Sequence, residues 1–228
     1  MTTVIENKDY TISQNDGIFY IRFSSKSEQL IQSFSKQLVG ATVFADYKTV
    51  SFRANSVTTY TQFRDVLRVD NGVKRMNYEL TLSMVTDLTK QIIELLAQKK
   101  CFYTFDLDNL IVIDNGAMFV YISNEHLLDV IPRRGTMLFI KPFLKTVRFI
   151  SPEMSSIIVL PSEINYKSIY YSLGMLALYC LYDDEFDYEM KSSLSLSLSS
   201  SSIQGTKLFW LLKRCLDKDP NKRSVLFV

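Results

Sequence analysis

Between Lys167 and Leu181 the chain reads K-S-I-Y-Y-S-L-G-M-L-A-L-Y-C-L, and from Ile169 to Tyr182 only Ser172 and Gly174 interrupt the apolar residues. A helix built from this stretch has no polar face to offer water, so other parts of the protein must cover every side of it. A membrane span needs about 20 apolar residues, and this run is shorter. The stretch therefore predicts a buried central helix, and the rest of the chain must be large enough to enclose it. With 228 residues, 47% of them hydrophobic, there is material for one good core or for two small lobes sharing a cleft.

Composition removes several classes of function. The 26 basic and 24 acidic residues leave a net charge of +2, and no basic stripe stands out, so nucleic-acid binding has no electrostatic support. Cys101, Cys180 and Cys215 are widely spaced among apolar neighbours, which suits buried thiols of a reducing compartment rather than a disulfide framework. A single histidine and the lack of any Cys/His cluster argue against a structural zinc site. The start, M-T-T-V-I-E-N-K-D-Y, lacks the charged-then-apolar layout of a secretion signal, so the expectation is a cytoplasmic protein without a membrane partner.

Local patterns place the elements. Tyr10 to Gln14 and Ile18 to Phe23 flank Asn15-Asp16-Gly17, a hairpin signal because Gly accepts the positive φ of a tight turn. Ser25 and Glu28 have capping-box spacing ahead of Leu30, Ile31, Phe34 and Leu38, and Gly40 marks the end of that helix. Ala41 to Ala54 reads as two strands around Asp46-Tyr47-Lys48, and Thr58 to Val69 as a short helix before a turn at Asp70-Asn71-Gly72. From Asp87 to Lys100, Leu88, Ile92, Leu95 and Leu96 share one helical face, and Lys99 and Lys100 suit the negative end of the dipole. Leu110 to Ile113 and Met118 to Ile122 form a second hairpin signal through Asp114-Asn115-Gly116, and Pro132-Arg133-Arg134-Gly135 is a turn. Residues 183–205 contain S-S-L-S-L-S-L-S-S-S-S, a low-complexity run expected to be a flexible insert. Thr206 should cap a last helix with Leu208, Leu211, Leu212, Cys215 and Leu216 facing inward, ended by Pro220, with Trp210 as a packing residue.

Two further pieces flank the apolar run. Upstream stands Phe149-Ile150-Ser151-Pro152-Glu153; downstream, Leu208 to Arg223 reads L-F-W-L-L-K-R-C-L-D-K-D-P-N-K-R. In this order the three pieces resemble the C-lobe of a protein kinase, with its A-P-E motif, its buried D-x-W-S-L-G helix and its late L-x-x-D-P-x-x-R helix. The resemblance extends from Asp87 to Arg223. It implies an α+β, protein kinase-like two-lobe fold with a reduced β-rich N-lobe over residues 1–57 and a mainly helical C-lobe over 58–228. In that family the glutamate of A-P-E pairs with the arginine of D-P-x-x-R beneath the central helix. The resemblance therefore implies a structural, at least partly buried Glu153–Arg223 pair, with Gly174 as the glycine of the central-helix motif.

The catalytic motifs depart from the family. The Asp16-Gly17 hairpin holds one glycine where kinases carry G-x-G-x-x-G. No V-A-I-K lysine precedes the helix at Glu28, and Glu28 itself reads as a cap. Residues Cys101 to Ser123 stand where H-R-D-L-x-x-x-N, a hairpin and D-F-G would follow one another. Taking Asn109 as the metal-binding asparagine puts Thr104 at the base position; taking Asp106 as the base puts Ile111 at the ligand position. Ile122-Ser123-Asn124 replaces D-F-G, Ile169 replaces the aspartate that braces the catalytic loop, and Tyr171 replaces the tryptophan. These departures agree with one another and imply a pseudokinase, with no catalytic residues, no cofactor and no metal, that binds or scaffolds a protein partner. The pared-down form resembles the kinase-like proteins of large DNA viruses, which implies the host cytoplasm or the virion. Two other functions stay open: an atypical phosphotransferase that recruits Asp106, Asp108, Asn109 or Asp114, and a virion structural protein that reuses the fold for packing. As loop residues, Asp106 and Asp108 are expected to be solvated.

Overall fold

The computed structural model describes residues 1–67, 69–70, 73–143, 148–182 and 202–225. Its architecture is α+β, with three antiparallel sheets and a short two-stranded ladder around the helices. The first sheet has the spatial order β1 (Thr2–Glu6), β2 (Tyr10–Asn15), β3 (Ile18–Phe23), β5 (Thr49–Arg53), β4 (Thr42–Val43). Asp16 and Gly17 turn the β2–β3 hairpin with φ of 50° and 75°. Helix α1 (Glu28–Ser35) follows β3 and buries Leu30, Ile31 and Phe34 in the core. The capping box expected on Ser25 and Glu28 does not form. Ser27 precedes the first helical turn, and its hydroxyl bonds the Ser25 carbonyl and receives the Asn124 amide instead of a helix N–H. Glu28 meets Lys26 at 3.4 Å.

The second sheet joins β6 (Val57–Thr59), β10 (Leu110–Ile113) and β11 (Met118–Tyr121). Val57 pairs with Ile113, so the lobe boundary expected after residue 57 falls inside a strand of this sheet. Thr59 and Gln62 form a reciprocal cap on α2 (Tyr60–Val66), which runs toward the short ladder of β7 (Val69–Asp70) and β8 (Val73–Lys74). Between β10 and β11, Asp114, Asn115 and Gly116 take φ of 49°, 55° and 99°, and a Cβ on Gly116 would lie 2.7 Å from Leu80 Cδ2. Only glycine fits that last position.

Helix α3 (Tyr78–Ala97) begins well before the expected Asp87, capped by Asn77, whose side chain accepts from Leu80 N–H at 2.9 Å. Asp87 is not a start signal: its carboxylate accepts the Phe119 N–H of β11 at 3.1 Å from inside the helix. One turn on, the buried Gln91 accepts the Tyr121 N–H at 3.0 Å and donates to the Tyr121 carbonyl at 2.7 Å and to Ser33 Oγ of α1 at 3.1 Å. Strand β11 is a sheet edge, and these two side chains supply partners that a further strand would otherwise provide.

The third sheet has the order β14 (Ser162–Asn165), β13 (Thr136–Phe139), β12 (Leu127–Ile131), β9 (Lys100–Phe102). Pro132 to Gly135 is the β12–β13 turn, but the strands beside it were not expected. Strand β12 is partly covered on both faces, so it lacks the alternation that reveals a half-exposed strand.

One helical turn, α4 (Pro152–Ser155), precedes α5 (Ser168–Tyr182), which is buried from Ser168 through Leu181. Helix α3 packs on it through Met84, whose sulfur is 3.7 Å from Cys180 Sγ, and the Cys180 carbonyl accepts the Met76 N–H at 2.8 Å. On another side lies α6 (Lys207–Cys215), capped by Thr206 through Phe209 N–H at 3.2 Å. It stops at Cys215 rather than at Pro220, because Asp217 and Asp219 turn the chain by accepting the Asp219 and Asn221 N–H groups, each at 2.9 Å. Trp210 is half-exposed on α6, with Lys213 Nζ 5.3 Å from its ring centre. All three cysteines are buried thiols with no disulfide among the described residues, and burial pushes the Cys215 thiol up to about 12. The Ser-Leu run at 183–201 lies outside the described residues. Among those described, no helix is long and apolar enough to cross a membrane.

At Gly174, α5 lies close against the last residue of α6 and the one after it. A Cβ there would lie 3.0 Å from Leu216 Cγ and Cδ2 and 3.1 Å from Cys215 Cβ. Gly174→Ala should therefore overpack this contact and cost about 1–3 kcal/mol. Urea unfolding checks it, with a lower midpoint and an unchanged slope as the expected result.

Candidate functional site

The loop after β9, residues 103–109, meets three other parts of the chain: strand β11, the segment 123–126 that follows it, and the β1–β2 turn. Asp106 is the hub. Its Oδ1 accepts the Asn109 N–H at 2.7 Å; its Oδ2 accepts the Asn109 amide at 2.8 Å and the Tyr121 hydroxyl at 3.1 Å. The Asp106 N–H donates back to the Tyr121 oxygen at 3.2 Å. His126 completes the group, its Nδ1 lying 2.5 Å from the Tyr121 oxygen and 3.4 Å from Asp106 Oδ2. Asp106 is thus not the solvated turn residue expected. The loop folds back on β11, where the Tyr121 ring sits 4.9 Å from Phe102 and 4.8 Å from Phe105, and this packing delivers its hydroxyl to the carboxylate.

The Tyr121 oxygen carries one proton and can donate to one neighbour. Donation to Asp106 lets the same oxygen accept from Asp106 N–H and from Nδ1–H of His126, so each contact is filled. Donation to Nδ1 would leave two acceptor oxygens facing each other at 3.1 Å. These contacts place a proton on Nδ1 of His126. Burial holds the Tyr121 hydroxyl well above its ordinary pKa and pulls the His126 imidazole below its own, against the opposing pull of Asp106 and Glu125.

The β1–β2 turn closes on this group directly. Asn7 Nδ2 donates to Asn109 Oδ1 at 3.4 Å, the Tyr10 hydroxyl to the Asp108 carbonyl at 3.2 Å, and Lys8 Nζ reaches Glu125 Oε2 at 2.6 Å. The Asn124 amide donates to Ser27 Oγ at 2.6 Å, and the Tyr103 N–H donates to the His126 carbonyl at 3.0 Å. Thr104 is fully buried, its hydroxyl directed to the Phe105 carbonyl at 3.3 Å. Ser123 is buried too and accepts the His126 N–H at 3.3 Å.

Of the four residues considered for an active enzyme, the fold brings Asp106 and Asn109 together and separates the others. Asp108 is exposed. Asp114 lies at the opposite end of the β10–β11 hairpin, where its Oδ1 accepts the Asn55 and Ser56 N–H groups at 2.6 and 3.0 Å. No three His, Cys, Asp or Glu side chains among the described residues are grouped to hold a metal ion. Tyr121 and His126 were not singled out from the sequence, because neither has a motif or a helical or strand period that points to Asp106. The one available signal was that His126 is the only histidine.

A second cluster lies under α5. Arg223, completely buried, forms a two-pronged pair with Glu153: Nη1 meets Oε1, and Nη2 donates to Oε2 at 3.0 Å. Its Nε donates to the Asp217 carbonyl at 2.8 Å, and the guanidinium lies over the Tyr171 ring, 5.0 Å from the centroid. The cation therefore ties α4, α5 and the turn after α6 across a separation of 70 residues. Ile169, two residues before Tyr171 in α5, is fully buried. No protein-family model matches the chain, and no curated protein is significantly similar to it.

Removing one partner of a buried pair strands the other charge. Glu153→Gln and Arg223→Met should each cost about 3–5 kcal/mol in denaturant unfolding, and the double variant less than their sum. Tyr121→Phe, which deprives Asp106 and His126 of their shared partner, should cost about 1–3 kcal/mol, whereas Asp108→Ala should stay within about 0.5 kcal/mol.

Proposed function

We propose that the chain is a catalytically degenerate protein kinase-like domain that works as a binding or scaffolding module. The order of its elements supports the reading. A helix follows the third strand of the first sheet, as the family's glutamate-bearing helix follows its lysine-bearing strand. A long helix precedes the loop at 103–109, a hairpin follows that loop, and the Glu153–Arg223 pair sits beneath a buried central helix. In a kinase the first strands cover the ATP phosphates above the catalytic loop and the D-F-G segment.

The observation that carries the proposal is what occupies that junction here. Asn7 and Lys8 of the β1–β2 turn and Tyr10 at the start of β2 bond directly to Asn109, Glu125 and Asp108. Taken as the metal-binding asparagine, Asn109 gives its backbone and side-chain N–H groups to Asp106, and Thr104, which that register puts at the base position, is buried. Side chains that a phosphotransferase would turn toward nucleotide are engaged with one another. The fold is then retained for its surfaces.

Mg-ATP should leave the melting temperature unchanged, and the purified protein should transfer no γ-phosphate. A ligand present at 100 times its dissociation constant would add about 2.7 kcal/mol, which a thermal-shift measurement resolves. A reproducible shift with Mg-ATP that Asp106→Ala abolishes would instead favour the atypical phosphotransferase.

A further inference from the structure

We propose that His126 makes the junction between the N-terminal sheet and the segments 103–109 and 123–126 responsive to protonation, closed while the imidazole is neutral and loosened once Nε2 takes up a proton. The device needs only the contacts at this junction and does not depend on a kinase-like origin.

With Nδ1–H donating to Tyr121, the lone pair left to titrate is on Nε2. The side chain is 10% exposed, so a proton added there creates a cation that is largely shut off from water. The groups that face it come from each neighbouring element. The loop 103–109 contributes Asp106, 3.4 Å from Nδ1, and the Tyr103 ring, 4.9 Å from the imidazole. Strand β11 contributes the Tyr121 hydroxyl. Glu125 stands beside it in the chain, and the β1–β2 turn contributes Lys8 and Asp9. Asp106, Glu125 and Asp9 favour the cation, while Lys8 and burial oppose it; burial is the largest of these influences.

Two of the carboxylates that act on the new charge also take part in the junction. Asp106 orients Asn109, which receives the Asn7 amide, and Glu125 binds Lys8. A cation at His126 either draws these carboxylates off their partners or leaves its site for water. Each course breaks contacts to the β1–β2 turn. The sign follows from the buried imidazole's lowered pKa: the unfolded chain binds the proton more readily than the folded one. The stabilisation is complete above about pH 6.5 and is lost as the pH falls through the folded value. His126 is the only histidine, and so the only side chain whose ordinary pKa falls in that range.

Amide hydrogen exchange on the full chain, corrected for the intrinsic pH dependence of exchange, tests this at about pH 7.5 and about pH 5.5. Residues 7–10, 103–109 and 123–126 should lose protection on the order of tenfold at the lower pH, while α3 and α5 hold theirs, and His126→Gln should remove the difference. Unchanged protection in the wild-type protein, or the same loss in the variant, would overturn the proposal. Should His126→Gln fail to fold, the NMR titration of the single imidazole decides. A midpoint below about 6.5 that tracks the loss of protection supports the device, and a midpoint at or above that value overturns it.

Discussion

Helix α5 is apolar on every side, and segments from both halves of the chain are arranged to cover it. Met76 and Met84 lie on its last turns, Phe149 packs on Tyr179 with ring centres 5.7 Å apart, and α6 closes on Gly174. Under Tyr171 the cover is a cation. Arg223 is buried yet satisfied, because its planar fork takes both oxygens of Glu153, its Nε takes a carbonyl, and its flat face takes the aromatic ring. A lysine could fill the charge but not those directions at once. The pair also fixes where the chain must return after α6, since Arg223 can be buried only where Glu153 is waiting.

The sheets are completed by side chains in the same manner. Among the described residues strand β11 has no neighbour beyond β10 within its own sheet, and helix α3 answers with Asp87 and Gln91, which bond the backbone of Phe119 and Tyr121. Through Ser33 the same glutamine reaches α1. Tyr121 is therefore held by its backbone from one side and by its hydroxyl from the other, where it meets Asp106 and His126. In a site with little water, such a chain of hydrogen bonds is worth more than its separate links, and an unfilled link costs more. That is why one tyrosine hydroxyl, one carboxylate and one imidazole can govern how firmly the β1–β2 turn is seated.

Features set by near neighbours were legible in the sequence. The unbroken apolar run of α5, the Asp16-Gly17 and Asn115-Gly116 turns and the Thr206 cap depend on periodicity or on the backbone conformations that particular residues allow, and the elements stand where those signals are. The start of α3, the end of α6 and the strands β12 to β14 were less legible. Asp87 stands where the helix was expected to start but accepts from Phe119 within it, Pro220 resembles a stop until the Asp217 and Asp219 turns are seen to end the helix earlier, and in β12 partly covered residues stand on both faces around the exposed Asp129.

Residue identity in the chain by itself determined which helix had to be buried and where the turns fall, because both follow from side-chain polarity and backbone sterics within a few residues. Only the tertiary structure decided what Asp106 and His126 do. A carboxylate in a loop is a solvated turn residue or a buried hub according to which distant hydroxyl and imidazole close on it. Here the aromatic packing of Tyr121 between Phe102 and Phe105 made that choice.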